Sequence, residues 1–404
     1  MSTTLLYHGF GLVGYHHSGL RVEGRKLTFC IEQPRERLRC SQCGSAEVWG
    51  QGGTRRTFRT VPLGSKPCFL EFRVPRVYCL DCSANQQVKV PFADVKKHYT
   101  HQFERYVLEL SRYTTIQDVA KHLQVSWDTV KGIQARHLQR RFGKPKLHKL
   151  KEIAIDEIAI GKGHHYLTVV LNLRSGAVVF VGDGKGVEAL EPFWRRLRRA
   201  RGKIVAVATD MSPAYTRAVR DNLPEAVHVF DHFHVIKLFN DKLSAFRRQL
   251  YHQAASKREQ QILKGTRWLL LKNPENLDTL HNEHQRLAQA LRLNQPLAVA
   301  YYLKEDLRQL WGQPDKTTAR RVLKDWIVRA RISDISILVQ FADTLEKHQE
   351  GILAYYQCPI STGALEGTNT KIQALKRQAY GFRDHEFFKL KILGLHETKH
   401  ALVG

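Results

Sequence analysis

The stretch KEIAIDEIAI, residues 151–160, begins a segment in which five apolar runs are separated by turns and helical patterns. HYLTVVLNL at 165–173 and AVVFVGDG at 177–184 follow it across turns, and three such runs in succession predict an antiparallel meander. KIVAVATD at 203–210 is apolar almost throughout, as expected of a buried strand, and AVHVFDHFHVI at 226–236 is a fifth strand that leads into a helix. The segment therefore predicts an α/β core built on five strands.

Helical patterns fill most of the remaining sequence. In SPAYTRAVRDNL at 212–223, Ser212 is the expected N-cap and Pro213 the first helical residue. Residues 236–350 are helical in pattern almost throughout, and residues 351–397 return to a helix with a polar stripe. Because a single hydrophobic core stops growing at roughly 250–300 residues, this chain of 404 residues is expected to be a multidomain α/β protein.

The charge balance is unusual for a globular protein. Lys and Arg number 64 against 38 Asp and Glu, which gives a formal net charge of +26. Such an excess costs self-repulsion in the folded state and is tolerated when a polyanion neutralises it, so nucleic acid is the expected partner. The alternatives are solubility or binding to a membrane surface, which the spread of basic residues over every segment disfavours.

The sequence carries no sign of export or of a membrane span. Its first residues lack the basic and apolar parts of a signal peptide, and no run of about 18 apolar residues occurs. Seven cysteines, an odd number, argue against a disulfide framework. We therefore expect a cytoplasmic, nucleoid-associated protein in a reducing compartment, where free thiolates can hold a metal ion.

Two Cys-x-x-Cys pairs mark the first 95 residues, which otherwise predict short strands and turns. Cys40 and Cys43 form the first pair, and Cys79 and Cys82 form the second, with 35 residues between the pairs. Two such turns can aim four thiolates at one point, which is the ligand set of a closed, structural zinc site. The alternatives are a redox pair or coincidence. The other cysteines are predicted to be small buried hydrophobes: Cys30, Cys68 and Cys358.

A helix-turn-helix is predicted at 114–138, TTIQDVAKHLQVSWDTVKGIQARHL. Thr114 and Gln117 are expected to form the capping box of the first helix, and Ser126 is expected to cap the second. A second helix in this arrangement places its N-terminal residues on base edges in the major groove of DNA, and the alternative is an ordinary helical hairpin in a core. The residues expected to face outward on it are Trp127, Asp128, Thr129, Lys131, Gln134 and Arg136.

Three acidic residues stand out in a chain short of carboxylates. Asp156 interrupts the first apolar strand, Asp210 ends the fourth, and Glu366 shares a helical face with Asn369 and Gln373. If the three acids meet, divalent cations remove their mutual repulsion, and oxygen ligands suit magnesium or manganese. The alternative for each acid alone is a salt bridge or a helix cap, and for Asp210 it is a turn before the next helix.

Strand alternation predicts the direction of each side chain on the first strand. Asp156 should share a face with Ala154 and Ile158, whereas Glu157 should point to the opposite face of the sheet. Glu157 is therefore discounted as a substitute metal ligand.

The sequence resembles the bacterial insertion-sequence transposases of the ISL3 family, which have a DDE catalytic core. The resemblance covers nearly the whole chain. Its most specific stretches are IAIDEIAIGKGHHYLTVV at 153–170, VATDMSPAY at 207–215, FDHFHVIKLFND at 230–241 and PISTGALEGTNTKIQALKRQAYGFR at 359–383. It implies an RNase H-like fold, in which a mixed five-stranded sheet has helices on both sides.

The resemblance also implies roles for the three acids and for the helical block. Asp156, Asp210 and Glu366, with 53 and 155 residues between them, would hold two magnesium or manganese ions for DNA cleavage. The second gap is too long for a compact core, so residues 236–350 are expected to form an insertion domain. Trp326 in this block is expected to pack in its core, the alternative being that it stacks on a flipped base.

Further residues are expected beside the acids. The resemblance matches an Asp-x-x-His element to Asp231 and His234, which would position the scissile phosphate or a water. The alternative is a structural hydrogen-bonded pair at a strand end. Asn369 is expected to join them as an accessory residue. Phosphate contacts, whose alternative is a solvated basic face, are expected from Lys371, Lys376, Arg377 and Arg383.

These inferences predict four parts and one function. The parts are a zinc-binding module at 1–95, a helix-turn-helix domain at 96–145, an RNase H-like catalytic core at 150–235 plus 351–397, and a helical insertion domain at 236–350. The predicted function is a DNA transposase that binds terminal inverted repeats, cuts and joins strands, and works as a homodimer or higher multimer. The alternatives are a zinc-dependent DNA-binding regulator without chemistry and a nuclease of the same fold.

Overall fold

The computed structural model describes residues 5–161 and 165–395, and it divides into two compact units, Met1–Arg141 and Phe142–Gly404. The first unit contains the cysteine-rich module and the helix-turn-helix, and the second contains the five predicted strands and the helices that follow. The finer division into four domains stays a prediction. In the described part of the chain, every helix is too short or too polar to cross a membrane.

The cysteine-rich module is mainly a β structure, as its sequence predicts. Its elements are α1 Leu5–Phe10, β1 His16–Glu23, β2 Lys26–Glu32, β3 Val48–Leu63, β4 Lys66–Cys79 and β5 Asn85–Gln87. The strands form one sheet in the order β1-β2-β4-β3, and β5 also pairs with β4. Buried residues alternate along most of β4, from Leu70 through Phe72 to Val74. The strand ends at Cys79, which is also buried.

The helix-turn-helix contains one helix more than the predicted pair. Its helices are α2 His101–Leu110, α3 Ile116–Leu123 and α4 Trp127–Phe142. Gln124 turns the chain in the left-handed region at φ 54°, and the Ser126 hydroxyl accepts a hydrogen bond from the Thr129 N–H at 3.2 Å. Val119 and Val130 pack in the core between the helices. The turn and the cap of the second helix are therefore confirmed.

The predicted capping box of the first helix is wrong by one residue. Thr115, and not Thr114, is the N-cap of α3, since its hydroxyl accepts a hydrogen bond from the Asp118 N–H at 3.2 Å. The hydroxyls of both threonines donate to the Asp118 carboxylate. A carboxylate near a helix N-terminus is also stabilised by the helix dipole, which the neutral amide of Gln117 does not match.

The second unit is built on the five strands expected from the sequence. They are β6 Glu152–Ala159, β7 Tyr166–Asn172, β8 Ala177–Asp183, β9 Ala206–Thr209 and β10 Val227–Phe230. The order in the sheet is β10-β9-β6-β7-β8. The meander β6-β7-β8 is antiparallel, while β9 and β10 are parallel to β6 and to each other. The mixed five-stranded sheet implied by the resemblance is confirmed, with β6 at its centre.

Helices cover both faces of this sheet. The helices of the second unit are α5 Val187–Arg199, α6 Pro213–Asn222, α7 His232–Gln253, α8 Lys257–Gly265, α9 Glu283–Leu293, α10 Gln295–Arg308, α11 Lys316–Ile332, α12 Ser336–Leu353, α13 Gly363–Gln378 and α14 His385–Leu393. α5 and α6 pack on the face that presents Ile153 and Ile155, and α13 and α14 pack on the face that presents Ala154 and Ile158. The predicted assignment of alternate β6 residues to opposite faces is therefore confirmed.

The helices α7 to α12 form the predicted helical block around a hydrophobic core of their own. Trp326 lies in that core, 1% exposed, with edge-on contacts to Phe239 and Phe341. Its indole N–H donates to the Leu303 carbonyl at 2.7 Å. Core packing of Trp326 is confirmed, because a ring enclosed in this way offers no face to a DNA base.

Candidate active site and zinc centre

The four predicted zinc ligands converge in the cysteine-rich module. Cys79 ends β4, Cys82 follows it, and Cys40 and Cys43 precede β3. The four sulfur atoms lie within 4.8 Å of one another, with 3.6 Å between Cys40 and Cys82 and 3.5 Å between Cys43 and Cys79. Sulfur ligands of a tetrahedral zinc ion lie roughly 3.8 Å apart. The cluster has the composition and size of a structural zinc site.

Backbone hydrogen bonds prepare this cluster for metal. The Cys40 N–H donates to the Ser45 carbonyl at 2.9 Å, and the Cys79 N–H donates to the Ala84 carbonyl at 3.0 Å. Hydrogen bonds from the backbone N–H groups of Cys43 and Gln42 lower the pKa of Cys40 to about 6. Thiolates are the form that binds zinc, so the loop favours the ligand form of Cys40 at neutral pH.

The N-terminal half of the second helix of the helix-turn-helix faces solvent as predicted. Trp127 and Asp128 are exposed, and Thr129 and Lys131 are half-buried. The Lys131 ammonium lies 5.1 Å from the centre of the Trp127 ring. These four residues stay predicted DNA contacts.

Two further residues of the same helix make contacts within the protein. Gln134 is only 3% exposed, because it follows the buried Val130 by four positions and lies on the same helix face. The Arg136 guanidinium bonds the Tyr99 hydroxyl and the Glu104 carboxylate, each at 2.6 Å. The predicted outward orientation of Gln134 is therefore wrong, whereas the Arg136 side chain is 39% exposed and stays a partly outward-facing residue.

Asp156 lies at the middle of the central strand and faces α13. Its Oδ1 accepts from the Glu157 N–H at 2.8 Å, and its Oδ2 accepts from the Asn369 side-chain amide at 2.9 Å. Burial raises the pKa of the Asp156 carboxyl above its ordinary value, and the nearby Asp210 charge raises it further. Asn369, predicted as an accessory residue, is thus in direct contact with the first acid.

Glu157 points to the opposite face of the sheet, as predicted. Its carboxylate accepts a hydrogen bond from the Tyr215 hydroxyl of α6 at 2.9 Å. Tyr215 is buried in the cluster on that face, together with Ile155. Glu157 is therefore engaged away from Asp156 and Asn369.

Asp210 directly follows β9, at the carboxyl end of a parallel strand. Its Oδ1 accepts from the Ser212 N–H at 2.9 Å, which fixes the turn before α6. Ser212 occupies the N-cap position with Pro213 after it, although the Ser212 hydroxyl makes no capping bond among the described residues. Asp210 therefore stabilises the turn before α6, which was the alternative role considered for it, and this hydrogen bond occupies one of its two carboxylate oxygens.

Glu366 lies in the first turn of α13, which runs along the central strand. Asn369 of this helix bonds Asp156, and the Gln373 amide donates to the Ala159 carbonyl at 2.7 Å. Burial raises the pKa of the Glu366 carboxyl, the charges of Asp231 and Asp156 add to the rise, and His234 opposes it. Glu366, Asn369 and Gln373 therefore form the predicted polar stripe, and it faces β6.

Asp231 and His234 lie where β10 passes into α7. Asp231 is 1% exposed, and its Oδ2 accepts a hydrogen bond from the Thr362 hydroxyl at 2.7 Å. Thr362 is the N-cap of α13, and its carbonyl accepts from the Glu366 N–H at 3.0 Å. Thr362 was not predicted as a site residue, although a threonine directly before a helix is a candidate N-cap.

Three buried polar atoms around the acids lack a hydrogen-bond partner among the described residues. They are Asp231 Oδ1, His234 Nε2 and Asn369 Oδ1. Buried polar groups are normally satisfied, and unpaired ones concentrate where a ligand, water or ion binds. The surroundings of the acids can therefore accept further polar groups.

The three predicted metal ligands are electrostatic neighbours but do not form a closed ligand cluster. The Asp210 charge contributes to the raised pKa of Asp156, and the Asp156 charge contributes to the raised pKa of Glu366. Within residues 5–161 and 165–395, the one group of three or more candidate ligand atoms all within 4.8 Å of one another is the cysteine cluster. Repulsion between the carboxylates opposes closer approach.

The predicted phosphate contacts surround the second half of α13. Lys371, Arg377 and Arg383 are exposed and Lys376 is half-buried. The ion pairs of the described residues include none of these four side chains. Their charges are available to a polyanion, and the four residues stay predicted DNA contacts.

Comparison with known families covers nearly the whole chain. A model for ISL3, described as a transposase, matches residues 153–392. A model described as the helix-turn-helix domain of transposase family ISL3 matches residues 88–138. A third, described as the zinc-finger of transposase IS204/IS1001/IS1096/IS1165, matches residues 25–82.

Individual relatives give the same result. The transposase for insertion sequence element IS1001 of Bordetella parapertussis is 32% identical over 372 residues, which covers 91% of this chain and 91% of the relative. The transposase for IS1557 of Mycobacterium tuberculosis is 30% identical over 372 residues, covering 85% of this chain and 82% of the relative. A solved structure of the Drosophila P element transposase strand transfer complex has a TM-score of 0.30 and 12% identity, over 65% of this chain and 80% of that chain.

Proposed function

Since this chain belongs to the ISL3 family of DNA transposases, we propose that Asp156, Asp210 and Glu366 are the ligands of its catalytic metal ions. The observation that carries the proposal is the 2.9 Å hydrogen bond from Asn369 to Asp156, across 213 residues of sequence. It fixes the helix of Glu366 against the central strand. Asp210 ends the strand that pairs with β6, so the three acids approach one site from three elements.

The residues present fit hard divalent cations. The donors are carboxylate oxygens, which magnesium and manganese prefer, and unpaired buried polar atoms lie beside them. When bound to these carboxylates, such ions would activate the attacking oxygen and stabilise the leaving oxygen of an in-line phosphoryl displacement. Magnesium or manganese is therefore the proposed catalytic cofactor, beside the structural zinc of the cysteine cluster.

The side chains of this chain orient the ligands and the DNA. Asn369 donates to one oxygen of Asp156 and so fixes the direction of that carboxylate. Asp231, bonded to Thr362, secures the first turn of α13, from which Glu366 projects. His234, whose charge lowers the pKa values of both Asp156 and Glu366, would face the scissile phosphate or a water beside it.

The proposed reaction has two steps. Hydrolysis at each end of the insertion sequence leaves a DNA 3′-hydroxyl, and that hydroxyl then attacks a phosphodiester of the target and releases a strand. The helix-turn-helix and the zinc module would bind the terminal repeats, while the basic side chains of α13 hold phosphates without reading sequence. A homodimer or higher multimer, acting on DNA in the cytoplasm, would pair both ends.

A supercoiled plasmid carrying the terminal repeats tests this function. Magnesium-dependent nicking at the repeat ends, followed by joining to a target, is the expected result. Binding without nicking would instead identify a DNA-binding regulator. Cleavage without joining would identify a nuclease of the same fold.

Thr362 gives a separate test as a positioning residue for Glu366. Thr362→Val keeps the side-chain shape and removes the donor to the buried Asp231 carboxylate. Loss of a hydrogen bond to a charged group costs about 1.5–3 kcal/mol, so we expect roughly 10- to 100-fold slower single-turnover cleavage. The magnesium concentration for half-maximal rate should rise, and the affinity for the repeats should stay the same.

Thr362→Ser is the matched control, because it retains the hydroxyl, and it should restore most of the cleavage rate. If the magnesium concentration for half-maximal cleavage rate is the same in Thr362→Val as in the native chain, Thr362 does not position Glu366.

A further inference from the structure

Trp268, in the turn after α8, presents a large aromatic ring to solvent. It is 65% exposed, whereas Trp326 of the same helical block is 1% exposed. The Arg267 guanidinium lies 4.6 Å from the centre of the Trp268 ring. The block therefore combines an accessible indole and a stacked cation on its surface.

Buried side chains and backbone hydrogen bonds fix the turn that carries Trp268. Its next two residues, Leu269 and Leu270, are 2% and 1% exposed and pack in the core of the block. The buried Lys304 ammonium donates to the carbonyls of Leu270 and Lys272, at 2.8 and 3.1 Å. An exposed ring on an anchored turn loses little conformational entropy when it binds a ligand.

Arg267 and Arg247 lie at this turn, and Arg248 follows Arg247 on α7. Burial lowers the pKa of Arg247, and the charges of Arg267 and Arg248 lower it further. Arg247 donates to the Leu263 carbonyl at 2.9 Å, which holds its guanidinium at the end of α8. Clustered like charges cost free energy in the folded protein unless an anion compensates them.

Four arginines elsewhere in the same block are compensated by acids. Arg308 pairs with Glu275 and Glu305, and Arg331 pairs with Asp343 and Glu346. Arg320 and Arg329 also have carboxylate partners. Among the described residues, Arg247, Arg248 and Arg267 form no ion pair with a carboxylate. Within the described residues, no carboxylate therefore offsets these three charges on the surface around Trp268.

We propose that Trp268, Arg247, Arg248 and Arg267 form a second DNA-binding site on the helical block, in which the arginines contact phosphates and the indole stacks on an unpaired base. Guanidinium groups bind phosphate oxygens through charge-assisted hydrogen bonds. An aromatic face accepts any base that is not paired, and the inference rests on the proposed function in that DNA opened at the cut ends would offer such bases. The three cations disfavour an apolar protein partner at this surface.

The test compares two DNA probes made from the same sequence, one a fully paired duplex and the other with a central unpaired bubble. The full-length chain is titrated with each in buffer without magnesium, so neither probe is cut and the result does not depend on the proposed catalytic ligands. The native chain should prefer the bubble. Trp268→Ala should weaken bubble binding by roughly 5- to 100-fold, as expected for one lost stacking contact, and leave duplex binding nearly unchanged.

Matched variants separate stacking from folding and from general charge. Trp268→Phe retains an aromatic face and should restore most of the preference, whereas Tyr302→Ala, at a residue 60% exposed in the same block, should not change it. Arg248→Ala should reduce the slope of log affinity against log salt concentration by about 1, as expected for the loss of one phosphate contact. Arg329→Ala removes an arginine that is paired with Asp306 and should leave this slope unchanged. Equal losses of duplex and bubble binding in Trp268→Ala, or no loss at all, would overturn the proposal.

Discussion

Asp210→Asn is expected to abolish strand cleavage and leave binding of the terminal repeats intact. The asparagine keeps an oxygen for the Ser212 N–H, so the turn before α6 survives, but the negative charge of a metal ligand is lost. A metal ion contributes several kcal/mol of transition-state stabilisation, so the rate should fall by at least about 10³-fold. Nicking of a repeat-bearing plasmid measures cleavage, and gel mobility of a repeat-end duplex measures binding.

Glu157→Gln is the matched control for this substitution. It also removes one carboxylate charge near Asp156, but its side chain lies on the opposite face and retains an acceptor for the Tyr215 hydroxyl. We expect cleavage close to the native rate. Full activity of Asp210→Asn would remove that residue from the site, and inactivity of Glu157→Gln would move the assignment to the neighbouring acid.

Cys79→Ser is expected to unfold the zinc module and to weaken repeat binding severely. The sulfur of Cys79 lies 3.5 Å from that of Cys43 within the four-cysteine cluster, and the residue ends the longest hairpin of the module. Zinc binding contributes about 10–16 kcal/mol to the folding of small zinc domains, which matches or exceeds the whole stability of a typical domain, about 5–15 kcal/mol. Zinc content, thermal unfolding and affinity for the repeats should all change together.

Cys30→Ser controls for the loss of a thiol as such. Cys30 is a half-buried cysteine of β2, outside the cluster, and its replacement should leave zinc content at one equivalent. A Cys79→Ser protein that retains its zinc and binds the repeats with native affinity would contradict a structural role for the site.

Features set by local interactions were predictable from the sequence. The alternation of β6 placed Asp156 and Glu157 on opposite faces, because successive residues of a strand must point to opposite sides of a sheet. The spacing of the cysteine pairs predicted a four-thiolate cluster, and Ser126 predicted the start of α4. The strand alternation and the helix cap follow from the geometry of single elements, and each Cys-x-x-Cys pair is a local turn, although the two pairs meet across 36 residues.

Other predictions failed where a helix had polar residues on two faces. Gln134 was expected to face outward, but α2 and α3 cover that side of α4 and bury it. Arg136 remains 39% exposed, but the helical pattern did not predict that an acid and a hydroxyl of preceding residues bind its guanidinium. The local pattern of a helix does not specify which of two polar faces will be covered, since the neighbouring element makes that choice.

The strands and the face on which Asp156 lies follow from backbone periodicity, and residue type and the spacing within each Cys-x-x-Cys pair identified the four cysteines as candidate zinc ligands. Only the tertiary structure brought Asn369 to Asp156 across 213 residues and Thr362 to Asp231 across 131 residues. Tertiary packing also exposed Trp268 and buried Trp326. Contacts of this kind depend on how distant elements pack, and that packing is a property of the whole core rather than of any one segment.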